Sequence, residues 1–226
     1  MDVIVSGAKG KMGSTLVRLL LRTSGAHLSG GIDRNTDGSE GFNCVKSAEQ
    51  AVWPADVIVD FSNRTQTREI VSFAVSRRLP LVIGTTGQTP EDMVEIRKAA
   101  EIISILMTAN FAVCYPLIRS VVAETVGALE ACEVTITEIH GVHKKDSPSG
   151  TAKAFASDIL SGNANIPVEI ISKREADVKG IHEITVKGAD EKLTIIHEII
   201  SRDSFAHGAL EAAKRLTGRS PGLYTE

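Results

Sequence analysis

The stretch that decides the fold is Asp2-Val-Ile-Val-Ser6, then Gly7-Ala-Lys-Gly10-Lys-Met-Gly13, then Ser14-Thr-Leu-Val-Arg-Leu-Leu-Leu-Arg22. A β-branched run stops at glycine, and an apolar helical pattern follows. Strand, glycine turn and helix in this order form the context that a dinucleotide fingerprint requires. The spacing is G-x-x-G-x-x-G, a variant of G-x-G-x-x-G. The physics is unchanged. Glycine lets the backbone turn sharply and approach a pyrophosphate, which rests on helix N–H groups and the positive end of the helix dipole. A second apolar run, His27 to Ile32, ends in Asp33-Arg34, and Asp33 lies 20 residues beyond Gly13. That offset suits an acid that binds ribose hydroxyls. The plainer account of the same residues is a tight βα turn with a surface aspartate.

Outward from this unit, strands and helices alternate. Asp56 to Phe61, Leu81 to Ile83 and Ile102 to Met107 read as buried strands. Thr65 to Arg78 and Pro90 to Ala100 read as helices between them, the second opening on a proline and two acids. This alternation predicts a doubly wound parallel sheet, with ligands beyond the carboxyl ends of its strands. Asp60-Phe-Ser62, Gly84-Thr-Thr86 and Ala109-Asn-Phe111 all follow strands. All could share one rim, or each could be a simple turn.

After Phe111 the pattern changes. A helix is expected over Leu117 to Leu129, a strand over Cys132 to Ile139 and a helix over Ala152 to Leu160. Gly162 to Pro167 is a polar linker. Three strands then follow with no helix between them, Val168 to Ser172, Ile181 to Val186 and Leu193 to Ile200, which argues a mixed or antiparallel sheet. Ser204 to Leu216 returns to helix. The fold class expected is therefore α/β, a Rossmann-like domain plus a central α+β domain with a mixed sheet. The expected boundaries are 1–111 with 204–226, and 112–203.

The densest chemistry lies from Glu138 to Thr151, E-I-H-G-V-H-K-K-D-S-P-S-G-T. Two imidazoles, two ammonium groups and a carboxylate follow a strand, and Ser149-Gly150-Thr151 opens a helix. A solvated charged loop with an ordinary helix cap is the bland account. His140, His143, Lys144 and Lys145 are all candidates for proton transfer, and strand geometry alone does not choose between the two histidines. His27, His182, His197 and His207 read as core or surface residues.

Composition narrows the classes. At 226 residues the chain holds one large domain or two modest ones. With 42% hydrophobic and 23% charged residues it has the makeup of a globular core-forming protein. A net charge of −3 gives no basic footprint for nucleic acid and no polybasic membrane patch. No apolar run reaches the ~18–20 residues that span a bilayer. Three cysteines without C-x-x-C spacing read as thiols in a reducing compartment, and the histidines form no metal-ligand pattern. The opening strand pattern, with no signal segment, points to the cytoplasm.

With the glycine turn, G-T-T-G, A-N-F and H-x-x-H-K-K-D-x-P-S-G-T in this order, the chain resembles the 4-hydroxy-tetrahydrodipicolinate reductase family of lysine and diaminopimelate biosynthesis. The resemblance covers essentially the whole chain, and the H-K-x-D-x-P-S-G-T loop is its specific part. It implies a Rossmann-like N-terminal domain that recruits the C-terminal helix. It also implies a central domain for substrate binding and homotetramer assembly. By matched position Gly7, Ala8, Lys9, Gly10, Lys11 and Met12 would hold the coenzyme pyrophosphate. Asp33 would hold the adenosine ribose, and Arg34 would be placed for a 2′-phosphate. Gly84, Thr85, Thr86, Thr108, Ala109, Asn110 and Phe111 would line the nicotinamide side. His140 and Lys144 match the catalytic pair, and Ser149, Gly150 and Thr151 match the substrate-carboxylate turn. The family carries a second histidine where this chain has Gly141.

The expected ligands are NADH, NADPH or both, and a small cyclic dicarboxylate, with no metal. Two other readings compete. One is a nucleotide-sensing Rossmann protein without turnover. The other is a related imine reductase with a shifted substrate.

Overall fold

The computed structural model describes residues 1–129, 131–144 and 146–225. It divides into two compact units, Met1–Phe111 with Asp203–Glu226, and Ala112–Arg202.

In the first unit the chain runs β1 (Asp2–Ser6), α1 (Lys11–Leu20), β2 (His27–Ile32), β3 (Cys44–Val45), β4 (Val57–Asp60), α2 (Arg64–Arg77), β5 (Leu81–Ile83), α3 (Pro90–Ala100) and β6 (Ser104–Met107). The sheet order is completed at one edge by β11 (Gly222–Tyr224), giving β11-β6-β5-β4-β1-β2-β3. Every pairing is parallel. The order reverses between β1 and β4, the switch point at which doubly wound sheets bind ligands.

Strand parity explains the two layers. Val3, Val5, Val57, Val59, Val82 and Leu106 face one side, where they pack with Leu16, Leu19 and Leu20 of α1. Ile4, Ile58, Leu81, Ile83 and Ile105 face the other, against Ile70, Val71 and Ala74 of α2 and Ile96, Ala99 and Ala100 of α3. A sheet covered on both faces needs near-continuous apolar strands, which is what these short runs are. Each fully buried aliphatic side chain contributes roughly 1.5–3 kcal/mol.

Helix α6 (Asp203–Leu216) joins the first layer through Ala206, Ala209, Leu210, Ala212, Ala213 and Leu216. Its alanine-rich face lets it lie close to the sheet. At Gly208 a Cβ would fall 1.7 Å from the Phe111 carbonyl oxygen, so only glycine fits.

Helix ends follow local chemistry. Asn63 caps α2 by accepting from the Thr65 and Gln66 N–H groups, and Arg78 ends it with φ 51°. Thr89 and Asp92 cap α3 reciprocally. Asp92 also pairs with Arg64 at 2.8 Å and with Arg68, which clasps α3 to α2.

The second unit contains α4 (Tyr115–Gly127), β7 (Glu133–Gly141), α5 (Gly150–Gly162), β8 (Val168–Glu175), β9 (Ile181–Lys187) and β10 (Lys192–Glu198). Its sheet has the order β10-β9-β7-β8. β7 runs parallel to β8 and antiparallel to β9, and β9 pairs antiparallel with β10. The sheet is therefore mixed. Helix α4 starts two residues before the expected Leu117, because Pro116 is tolerated in a first turn where its missing N–H is no loss.

Two strands escaped the sequence reading, β3 and β11. Each is too short, at two and three residues, to show a periodicity.

Candidate active site

The expected site residues fall into two groups, one in each unit. In the first, the glycine turn lies at the carboxyl end of β1. Gly7 has φ +73°, and a Cβ there would meet the Phe61 carbonyl oxygen at 2.5 Å. At Gly13 a Cβ would fall 2.0 Å from the Gly7 oxygen, so α1 rests directly on the turn. Gly10 caps α1 without a side-chain hydrogen bond, so no side chain occupies the helix start. These features fit a dinucleotide: glycine lets the turn pack this tightly against α1, and no side chain stands between the helix start and an anion.

Asp33 is buried at the end of β2. Its carboxylate accepts from Lys9 N at 2.9 Å and from Asn35 N at 2.9 Å, which locks the glycine turn to the strand end. Lys9 Nζ reaches Glu40 at 2.8 Å and Asp37 at 3.8 Å. The Lys9 hydrogen bond is the main cause that pulls the Glu40 carboxyl down to about 2. Arg34 pairs with Glu69 at 2.6 Å, both side chains about half exposed.

Across the switch point, Asp60 is fully buried at the end of β4. It accepts from Ser62 Oγ at 2.5 Å, Thr67 Oγ1 at 2.5 Å and Thr85 Oγ1 at 2.9 Å. This carboxylate ties the G-T-T loop to α2. Gly84 faces Phe61 and Phe111, where a Cβ would come within 2.3 Å of the Phe61 ring. Thr108 Oγ1 accepts from Asn110 N at 3.2 Å, which shapes the turn after β6. The structure thus brings the glycine turn, Asp33, Phe61, Gly84, Thr85 and Phe111 to one rim. Lys11, Thr86 and Ala109 lie exposed there. A cavity of about 720 Å³ between α2 and α3, lined by Val71, Val75, Ile96 and Ala99, involves none of the expected site residues.

The second group is built around the end of β7. Glu138 and His140 are two apart on one strand and so share a face. Glu138 is 0% exposed. It accepts from His140 Nδ1, and from Arg174 Nη1 at 3.0 Å. Arg174 enters because β8 pairs in register with β7, placing it opposite His140. Its other amine donates to the Asp146 carbonyl at 2.6 Å, pinning the loop after β7.

His182 lies opposite Glu138 on β9 and is 2% exposed. Its ring meets His140 edge to face at 5.2 Å, and its Nε2 lies 3.4 Å from Ser149 Oγ. Ser149 in turn caps α5 by accepting from Ala152 N at 3.2 Å. One serine therefore links the sheet to the helix start that Gly150 and Thr151 open.

Lys144 extends from the loop, with Nζ 2.8 Å from Asp146. His143 is exposed, and Lys145 lies outside the described residues. Gly141 is less roomy than its lack of a side chain suggests, since a Cβ would stand 3.1 Å from the Val178 carbonyl oxygen.

Electrostatics follow from burial. Burial lowers the His140 pKa, and the Glu138 carboxylate only partly opposes it. Burial pushes Glu138 up, but hydrogen bonds from Ser172, Arg174 and His140 bring it below its ordinary value. His182 is held at about 3, chiefly by burial, with His140 and His197 adding repulsion. It stays neutral throughout the physiological range.

The residues that sequence reasoning missed are Glu138, Arg174 and His182. Glu138 opened the quoted stretch, and its two-residue spacing from His140 was a legible signal. Arg174 and His182 arrive only through strand register. His182, expected to be a core or surface residue, is buried in the wall of this site.

Fold and site together define a two-unit Rossmann-type protein whose second unit presents a histidine–lysine loop beside a helix N-terminus. A family model for the dihydrodipicolinate reductase N-terminus matches residues 1–111, and one for its C-terminus matches 116–226. The chain belongs to the dihydrodipicolinate reductase family.

It is 35% identical over 229 residues to 4-hydroxy-tetrahydrodipicolinate reductase of Xanthomonas campestris, covering 98% of this chain and 94% of that protein. It is 32% identical over 243 residues to the enzyme of that name from Caldanaerobacter subterraneus, covering 99% and 95%. Among solved structures it is similar to dipicolinate-bound dihydrodipicolinate reductase from Paenisporosarcina, with TM-score 0.80, 22% identity and coverage of 100% and 97%. It also shares the fold of an amine dehydrogenase from Mycobacterium smegmatis, with TM-score 0.71, 12% identity and coverage of 99% and 94%. No helix among the described residues is long and apolar enough to cross a membrane.

Proposed function

We propose that the protein reduces 4-hydroxy-tetrahydrodipicolinate to tetrahydrodipicolinate in lysine and diaminopimelate biosynthesis, in the cytoplasm. Residues 1–111 with 204–226 bind the coenzyme, and 112–203 bind the substrate and assemble a homotetramer. The observation that carries this reading is the convergence of His140, Lys144 and the Ser149-Gly150-Thr151 helix start at one end of β7, in a chain that matches the family over both units.

The coenzyme, NADH or NADPH, supplies the hydride. Gly7, Ala8, Lys9, Gly10, Lys11 and Met12 would hold its pyrophosphate. Asp33 would hold its ribose, and Gly84, Thr85, Thr86 and Thr108 to Phe111 would line its nicotinamide. The exposed Arg34–Glu69 pair is the kind that contributes little, so a 2′-phosphate can displace Glu69. This supports use of both coenzymes.

The protein's own part is to bind, orient and move a proton. The N-terminus of α5 offers backbone N–H groups and a dipole to a substrate carboxylate. Lys144 neutralises developing negative charge and donates a proton, exchanging its Asp146 partner for substrate. Burial lowers the His140 pKa, which favours the neutral ring, and Nδ1 lies toward Glu138, so its Nε2 is the exchanging atom.

The sheet of the second unit supports assembly. Ile139, Ile171, Ile181 and Ile196 share the face away from buried Val134, Ile136 and Ile184, and Ile196 is 63% exposed. Such a face suits packing on another copy.

The test is coenzyme oxidation, followed by near-ultraviolet absorbance, with enzymatically generated substrate. Turnover with both coenzymes is expected. Tight coenzyme binding without turnover would instead make the protein a nucleotide sensor. A shifted substrate remains a second reading because Gly141 removes a side chain from the substrate loop. A screen of cyclic imines separates the two.

A further inference from the structure

The His140 ring is held on one edge, and among the described residues no hydrogen-bond partner meets the other. On the held edge, Nδ1 meets Glu138, the fully buried carboxylate of the same strand face. Such a carboxylate is tolerated only if paired, and here both oxygens are engaged. One oxygen accepts from His140 and the other from Arg174 Nη1 at 3.0 Å. On the other edge Nε2 faces Gly180, where a Cβ would fall 3.2 Å from it. Gly180 has φ +158° and carries no side chain to cover the nitrogen.

The charged neighbours act on the ring's protonation in opposite senses. His182 from β9 packs edge to face against the ring and is itself neutral. Lys144 from the loop and Arg174 from β8 are cations that disfavour a charged ring. Glu138 acts the other way, its carboxylate favouring the protonated ring.

We propose that Glu138 is a positioning residue for the reduction: held by Arg174, its carboxylate fixes neutral His140 in the Nδ1–H tautomer, leaving Nε2 free to take and return a proton. A neutral imidazole carries one N–H and one acceptor nitrogen, and the partner of the first decides which is which. A carboxylate can only accept here, so Nδ1 must donate. When Nε2 gains a proton the ring becomes a cation beside an anion, and when it loses that proton the tautomer is restored. No atom of Glu138 is consumed. This role rests on the reductase reading above.

Two measurements test it. Nitrogen-15 NMR of the imidazoles in the wild-type protein should show neutral His140 protonated at Nδ1. A ring protonated mainly at Nε2, or equally at both, overturns the proposal. The variant Glu138→Gln can donate to Nδ1 and so releases the tautomer. Its kcat should fall about 10²-fold, the lower end of what acid–base groups supply. Coenzyme affinity should be unchanged, and the limb of the pH profile that reports His140 should move to lower pH. Glu138→Asp should recover part of the loss. Wild-type kcat and pH profile in Glu138→Gln overturn the proposal. Should Glu138→Gln not fold, the wild-type tautomer decides alone. A wild-type protein without turnover defeats the reductase reading, whereas turnover with the wrong tautomer defeats only this inference.

Discussion

The glycine turn after β1 and the histidine cluster after β7 occupy the same kind of place, the end of a strand, but are built from different materials. The turn is backbone. Its shape comes from φ +73° at Gly7 and from contacts that exclude any Cβ at Gly7 and Gly13. The cluster is side chains. Glu138 and His140 come from β7, Arg174 from β8, His182 from β9 and Ser149 from the start of α5. A backbone site fails through sterics, and a side-chain cluster fails through charge and proton placement. The two should therefore respond differently to mutation and to pH.

The largest effect is expected in the cluster. Lys144→Ala should lower kcat about 10²–10⁴-fold, with His140→Ala similar or somewhat less. Both should bind coenzyme as the wild type does. Near wild-type kcat in either variant would remove that residue from the chemistry.

The contrasting variant in the turn is Gly13→Ala. Its Cβ would need the space of the Gly7 carbonyl, 2.0 Å away. Overpacking of this kind destabilises by about 3 kcal/mol or more. Denaturant unfolding should show the loss, and coenzyme binding should weaken with it. A variant of unchanged stability would show that the turn tolerates a side chain.

The pH response sharpens the comparison. His182 has a folded pKa of about 3 against an ordinary 6.5. Its contribution is fully present above about 6.5 and is lost as pH falls toward 3, because the unfolded chain takes up the proton first. This group alone should make the protein about 2 kcal/mol less stable at pH 5 than at pH 7. His140 and His197 act with the same sign. His182→Gln should therefore lose less stability between pH 7 and pH 5 than wild type does. Equal slopes would contradict a buried neutral His182.

The smallest effect is expected at Gly141. A histidine there would add one charge-assisted hydrogen bond to a substrate carboxylate, worth roughly 1.5–3 kcal/mol. Its Cβ must first settle 3.1 Å from the Val178 oxygen, which offsets part of that gain. Gly141→His should lower KM several-fold and leave kcat nearly unchanged. A raised KM or lost turnover would mean that glycine is required for the loop's conformation.

Particular elements show what was readable. The parallel sheet was legible because β1, β4, β5 and β6 are continuous apolar runs separated by helices. The helix start after Pro148 was legible because Ser149 is a capping residue type. Asp33 was singled out by its offset from Gly13, but its use as the strut that holds Lys9 N was not foreseen. Nor was the diversion of Arg34 to Glu69, since side-chain partners 35 residues apart leave no local pattern. β11 was invisible because three residues carry no period.

The sequence by itself determined the strand–turn–helix units, the glycine turn, the capped start of α5, and the strand end and loop that carry His140 and Lys144. Each depends on interactions within a few residues, which residue type and spacing encode directly. Tertiary structure alone decided that Arg174 and His182 join that loop. One step of β8 past β7 would turn Arg174 away to the opposite face, and one step of β9 would do the same to His182. That register is set by the pairing of Val134, Ile136 and Glu138 with their neighbours across the whole sheet. The environment of His140 follows from it.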